Sequence, residues 1–165
     1  MHQPHPDLDS LALCCGVITV SDTRSPETDK SGQLIKELLA AEGHILGCYE
    51  LLRDDPEAIA QWLESLDHRT VDVVIFNGGT GIAPRDNTYD VVERFLEKIL
   101  PGFGEIFRQL SYAEIGSRAI ASRAVAGTYR GKIIFSLPGS SGAVRLAMKA
   151  LILPEMRHLV SQLRG

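Results

Sequence analysis

Short β-branched apolar runs alternate along this chain with stretches of helical spacing, and no other feature restricts the fold as strongly. Residues 14–20, 45–52 and 71–76 read as strands. The first, Cys14-Cys15-Gly16-Val17-Ile18-Thr19-Val20, is apolar almost without interruption, as a strand buried on both faces of a parallel sheet must be. Between these runs the period changes. Over 30–42 it places Leu34, Ile35, Leu38 and Leu39 on one stripe, which Gly43 ends, and Asp55 with Pro56 caps and opens a helix through Leu66. A further helix starts at Thr88, turns Val91, Val92, Phe95, Leu96 and Ile99 inward and stops at Pro101. Residues 104–112 are expected to be helical, 124–137 to form two short strands around Tyr129-Arg130-Gly131, and 140–153 and 154–163 to close the chain as helices. The expectation is a three-layer αβα fold, a mostly parallel doubly wound sheet with a short antiparallel edge.

With 165 residues, 44% of them hydrophobic, the chain suffices for one core. A single domain is expected over 11–165, behind an N-terminal extension, residues 1–10, expected to be disordered. Seventeen basic against twenty-one acidic residues leave a net charge of −4, which argues against nucleic acid as a partner. The opening residues lack a basic leader and no run reaches the ~18 apolar residues of a membrane span, so no membrane partner is expected and the cytoplasm is the expected location. Three cysteines, Cys14 and Cys15 adjacent, give neither a disulfide framework nor a CxxC metal site. The five histidines are scattered without ligand spacing, and Trp62 lies on the apolar stripe of its helix.

In open α/β sheets ligands bind beyond the carboxyl ends of the strands, and four loops there stand out. Ser21-Asp22-Thr23-Arg24, with Asp29-Lys30-Ser31-Gly32 at the next helix start, is either a capped turn or a polar ligand loop. Asn77-Gly78-Gly79-Thr80-Gly81, leading into Pro84-Arg85-Asp86-Asn87-Thr88, lets backbone N–H groups approach an anion near a helix start, although its glycines would also serve a tight turn. It fails the dinucleotide fingerprint, because Pro84 stands where the third glycine belongs. In Leu137-Pro138-Gly139-Ser140-Ser141-Gly142 the serines cap a helix or line a phosphate cradle. Gly127 through Lys132 is not a P-loop: it is one residue short and Ile133 replaces the magnesium-binding hydroxyl. In Arg53-Asp54-Asp55-Pro56, Asp55 caps a helix and Asp54 has no structural duty. Asp54 and Asp86 end different strands, so both can face one cleft and share a hard cation, with magnesium (Mg2+) the natural choice.

Taken in order, Ser21-Asp22-Thr23-Arg24, Asp29-Lys30-Ser31-Gly32, Gly78-Gly79-Thr80-Gly81, Pro84-Arg85-Asp86, Thr88, Leu100-Pro101-Gly102-Phe103 with Glu105, and Leu137-Pro138-Gly139-Ser140 resemble the molybdopterin-binding MogA/MoaB family of molybdenum cofactor biosynthesis proteins. The segment from Gly102 through Ile115 looks closer to the MoaB branch. The resemblance implies an enzyme that transfers the adenylyl group of ATP to the terminal phosphate of molybdopterin and releases pyrophosphate. It implies catalytic and magnesium-binding roles for Asp54 and Asp86. Substrate-binding roles pass to Ser21, Asp22, Arg24, Ser31, Gly78, Gly79, Thr80, Gly81, Arg85, Thr88, Pro138, Gly139 and Ser140, with Glu105, Arg108, Ser122 and Arg123 near the pocket. Where many relatives carry a proline after the Leu-Pro-Gly turn, this chain has Ser140-Ser141-Gly142.

No protein nucleophile is needed for such chemistry, since the pterin phosphate attacks and the protein positions two anions and neutralises charge. The alternative is a binding or carrier protein of the same pathway that performs no chemistry. A protein that merely keeps the fold is a third reading. The presence of both Asp54 and Asp86 favours the enzyme. The resemblance further implies a homo-oligomer, a trimer or a hexamer, for which the apolar segment 100–112 with Phe103, Phe107 and Leu110 is the expected source of interface, and a downstream metal-insertion protein as partner.

Overall fold

In the computed structural model, which describes residues 10–165, the apolar runs become one six-stranded sheet. Its strands are β1 (Cys14–Val20), β2 (Ile45–Leu52), β3 (Val73–Asn77), β4 (Lys98–Ile99), β5 (Val125–Tyr129) and β6 (Lys132–Leu137), in the spatial order β2-β1-β3-β6-β5-β4. The first four in that order are parallel, while β5 runs antiparallel to β6 and β4 antiparallel to β5. Apart from Ser10, the expected N-terminal extension lies outside the described residues.

Side chains alternate across the strands and divide the core in two. Val17, Val73, Ile75, Ile133 and Phe135 meet α1 (Lys30–Ala41), α4 (Pro101–Ile115), α5 (Ser141–Ala147) and α6 (Leu153–Arg164) on one face. Ile18, Val74, Phe76 and Ile134 meet α2 (Pro56–Glu64) and α3 (Thr88–Phe95) on the other, where Trp62 sets its ring edge-on to Phe76 at 5.4 Å. The three-layer αβα reading holds. α1 begins as its sequence requires, with buried Asp29 accepting the N–H of Gly32, and α2 likewise with Asp55 accepting that of Ala58.

Two helices, α3 and α4, depart from their expected bounds. The helix opened by Thr88 ends at Phe95 rather than running to Ile99, because the N–H groups of Glu97 and Leu100 bond the carbonyls of Thr128 and Ala126 and draw Lys98 and Ile99 into the sheet. Gly127 allows this: a Cβ there would stand 2.3 Å from the Lys98 carbonyl oxygen. The antiparallel edge therefore has one strand more than expected, and Ile99 is half exposed rather than inward. Pro101 then opens α4 from the first position, where its missing N–H costs nothing, so this helix spans more than the expected 104–112. At the other end a π turn over 148–152 joins α5 to α6 ahead of Pro154, which accommodates a ring that a regular helix would exclude.

In the segment expected to supply an interface, Phe107 is fully buried and Phe103 packs on Phe135. Ile106, Tyr112 and Ile115 remain exposed on α4. No helix among the described residues is long and apolar enough to cross a membrane.

Candidate functional site

The chain reverses its direction of travel across the sheet between β1 and β3, leaving β1 for β2 on one side and returning to β3 on the other. That switch opens a crevice at the carboxyl ends of the strands. Two glycine turns meet in it: a Cβ on Gly139 would come 3.1 Å from the Gly78 Cα, and Gly78 donates to the Leu137 carbonyl at 3.0 Å. Gly78 and Gly79 have φ of +100° and +65°, which L side chains rarely adopt. The space beside them is filled as well, since a Cβ on Gly78 would lie 2.2 Å from the Val20 carbonyl oxygen and one on Gly79 2.0 Å from Thr88 Oγ1.

Above these turns lies a cleft of ≈ 440 Å³, lined by Val20, Ser21, Thr23, Arg24, Gly78, Gly79, Thr80, Gly81, Asp86, Arg118, Ala121, Ser122, Pro138 and Gly139. Among the described residues no protein acceptor takes the N–H of Gly79, Thr80 or Gly81, which makes this loop a ready anion cradle. Of the residues picked out in sequence, the cleft wall unites Ser21, Arg24, the four of the 78–81 loop, Asp86, Ser122, Pro138 and Gly139. Val20, Thr23, Arg118 and Ala121 complete it, none of them among the substrate-binding positions expected from the sequence. Arg118 lies in a segment with no motif, so only the return of the chain after α4 could have revealed it.

The remaining candidates stand behind or beside the wall. Ser31 is buried, accepts from Arg24 at 2.6 Å and donates to Asn77 Oδ1 at 2.8 Å. Arg24 also donates to the Gly139 carbonyl at 2.9 Å and faces Asp29 at 3.5 Å, so it pins the start of α1 to the loop after β6. Arg123 grips the glycine loop from outside, donating to the carbonyls of Thr80 and Gly81 and forming a two-pronged ion pair with Asp90. That hydrogen bonding holds the Asp90 carboxyl below its usual range. Ser140 caps α5 by accepting the Ala143 N–H at 3.2 Å, which answers one of the two readings of its loop. Arg108 donates to the Ala124 carbonyl, while Arg85 and Glu105 are exposed outside the cleft wall.

Three carboxylates gather at the cleft's edge. Asp86 accepts the Ala83 N–H at 2.9 Å, Asp22 the Asp54 N–H at 3.1 Å, and Asp54 the Asn87 N–H at 3.0 Å. Asp54 stands behind Gly79, where a Cβ would touch its Oδ2 at 2.6 Å. Burial pushes its carboxyl up, Asp86 and Asp22 add to the rise, and the Asn87 N–H opposes it. Thr88 Oγ1 is buried beside the same spot with no hydrogen-bond partner. Crowded negative charge, an Asp54 oxygen left over from the Asn87 bond and an open cradle for phosphate fit a magnesium ion, which keeps several waters and needs only one or two carboxylates beside substrate phosphates. Among the described residues no three His, Cys, Asp or Glu side chains form a complete metal cage.

Residues 16–158 match the family model described as "Probable molybdopterin binding domain". The chain is 55% identical over 151 residues to molybdenum cofactor biosynthesis protein B of Bacillus anthracis, covering 90% of this chain and 89% of that one. Among solved structures, a molybdenum cofactor biosynthesis protein B superposes with a TM-score of 0.90 at 52% identity, over 93% of this chain and 97% of the other. The tungsten cofactor synthesizing protein MoaB from Pyrococcus furiosus superposes at 0.84 with 36% identity, over 93% and 98%.

Proposed function

This chain belongs to the molybdopterin-binding family of molybdenum cofactor biosynthesis proteins, on the side of its MoaB members, and from that membership we propose that its cleft binds molybdopterin and ATP and transfers AMP from ATP to the terminal phosphate of the pterin. Its place in molybdenum cofactor biosynthesis follows from the family. The transfer itself is our reading, and one observation carries it. An anion cradle of unpaired N–H groups at Gly79, Thr80 and Gly81 shares a cleft with the Asp86 carboxylate, with Asp54 behind it.

In the proposed reaction an oxygen of the pterin phosphate forms a bond to the α-phosphorus of ATP, the bond from that phosphorus to the bridging oxygen breaks, and pyrophosphate leaves with its electron pair. No side chain is modified. The glycine loop holds phosphate oxygens through backbone N–H groups whose positions Arg123 fixes from outside, so little reorganisation is needed when the charge shifts. The turn at Pro138 and Gly139, tied to α1 by Arg24, forms the facing wall and aligns the two anions. Magnesium held by Asp54 and Asp86 would supply charge neutralisation between the phosphates. We further propose that the protein works as a trimer or hexamer, for which the exposed Ile106, Tyr112 and Ile115 offer contact area, and that a metal-insertion protein takes the product.

Pyrophosphate release from purified protein with molybdopterin, ATP and magnesium is the test. Turnover that depends on molybdopterin supports the transfer; none, with molybdopterin still bound, leaves the second reading, a non-catalytic binding or carrier protein. That second reading is favoured by the position of Asp54, which stands behind Gly79 rather than in the cleft wall.

A further inference from the structure

Two arginines line the cleft, and one of them is already committed to the protein. The Arg24 guanidinium is divided among Ser31, the Gly139 carbonyl and Asp29. Arg123 and Arg108, close by, are likewise engaged, the first by Asp90 and two loop carbonyls, the second by the Ala124 carbonyl. Arg118 is different. It lines the same cleft, is exposed, and among the described residues its side chain makes neither a hydrogen bond nor an ion pair. Its backbone is nevertheless fixed: the 3₁₀ turn that carries it, Gly116–Ala121, leaves α4 through Gly116 at φ +64° and is anchored by buried Ala119.

We infer that Arg118 is the specificity-determining residue that takes a phosphoryl group of the anionic substrate, an inference that rests on the binding reading above. An incoming phosphate meets the Asp86 carboxylate on the wall, with Asp54 and Asp22 near it. Backbone N–H groups carry only partial charges, and Arg24 is partly neutralised by Asp29. A full positive charge not already bonded to protein is therefore what the cleft needs, and a guanidinium supplies it with paired donors matched to two phosphate oxygens. The shared chemistry is phosphoryl recognition; the pterin phosphate and the triphosphate of the nucleotide are its two sources.

Isothermal titration with molybdopterin and, separately, with ATP and magnesium distinguishes them. The proteins compared are the wild type, Arg118→Ala, Arg118→Lys, and Arg94→Ala, which removes the same charge from an exposed site on α3 outside the cleft. Arg118→Ala is expected to weaken at least one ligand by roughly tenfold or more, Arg118→Lys to recover part of the loss because charge returns without the paired donors, and Arg94→Ala to stay within about twofold. Loss confined to molybdopterin assigns the pterin phosphate, loss confined to ATP assigns the triphosphate, and loss of both with Arg94→Ala unaffected assigns a subsite used by each. Unchanged binding of both ligands to folded Arg118→Ala overturns the inference, as does an equal loss in Arg94→Ala. A wild type that binds neither ligand removes the binding reading itself, and Arg118's role with it.

Discussion

Beneath the start of α1 the polar groups satisfy one another, whereas beside Gly79 they are satisfied only in part. Asp29 accepts from Gly32 N–H at 3.0 Å and from the Tyr49 hydroxyl at 2.5 Å, with Arg24 beside it, and Asn77 bridges Ser31 to Thr19. Burial would raise the Asp29 carboxyl, but these bonds together hold it below its usual range. A short distance along the same strand ends, Asp54 is pushed up by burial and by two carboxylate neighbours, and the Thr88 hydroxyl is orphaned. The contrast separates what builds the cleft from what is free to work in it, because a satisfied buried network rigidifies and an unsatisfied one awaits a partner.

The contrast breaks first at Asp29. Replacing Asp29 with Ala should cost about 3 kcal/mol, since it leaves the Tyr49 hydroxyl, the Gly32 N–H and a partly buried guanidinium without their acceptor. Urea unfolding measures this, and a loss below about 1 kcal/mol would mean that the network does not hold α1 to the sheet. Next comes Gly79→Ala, at about 2 kcal/mol, from a left-handed φ and a Cβ driven against Thr88. Gly43→Ala, just past the end of α1, is its control. Gly43 also has a left-handed φ, +77°, but nothing within 4 Å, so the change should cost only about 1 kcal/mol. Equal costs at the two glycines would show that the space beside Gly79 is not needed.

Asp86→Asn addresses the other cluster. The proposed adenylyl transfer should fall at least roughly tenfold, equivalent to about 1.4 kcal/mol of barrier, while stability moves by less than about 0.5 kcal/mol, because the Ala83 N–H keeps an oxygen acceptor. Transfer at the wild-type rate in this variant would remove Asp86 from the reaction.

Much of this was legible in the sequence, for identifiable reasons. Parallel strands buried on both faces read as apolar runs, and Asp55 reads as a cap, because periodicity and capping are local, whereas the loop with Asp29 reads equally as a capped turn or a ligand loop. The short strand at Lys98 and Ile99 was not legible: its pairing depends on the glycine at 127, about thirty residues on, and nothing near Phe95 announces it. The same limit applies at the site. The glycine turns and Asp86 were found from their text, but whether Ser31, Arg123 or Ser140 faces ligand or protein is decided by distant acceptors such as Asn77 and Asp90, and Arg118 reaches the cleft only through the return from α4.

The smallest expected effect is also the sharpest test of the contrast, because its sign differs between the two clusters. The depressed Asp29 carboxyl adds stability above its ordinary value of 3.8, stability that is lost as pH falls through its lower folded value. Asp54 works oppositely. Its folded pKa lies above 3.8, so the folded state holds its proton longer than the unfolded chain does, and its contribution, fully present below 3.8, is lost as pH rises through the folded value. Asparagine at 54 keeps an acceptor for the Asn87 N–H and cannot ionise. The stability of Asp54→Asn minus that of wild type should therefore be flat in strong acid, grow more positive as pH rises above 3.8 and level off once pH passes the folded value, measured by urea midpoints without divalent cations. Asp54 is partly exposed, so both its burial and the repulsion from Asp86 and Asp22 are moderated by solvent and the slope is shallow. A difference that stays flat, or falls with pH, would mean that burial together with the charges of Asp86 and Asp22 does not raise the Asp54 carboxyl in the folded protein, and the cleft would lose the unfavourable charge that makes a cation welcome there. Adding magnesium with ATP to the wild type should shrink the difference, because an ion between the carboxylates relieves what asparagine removes.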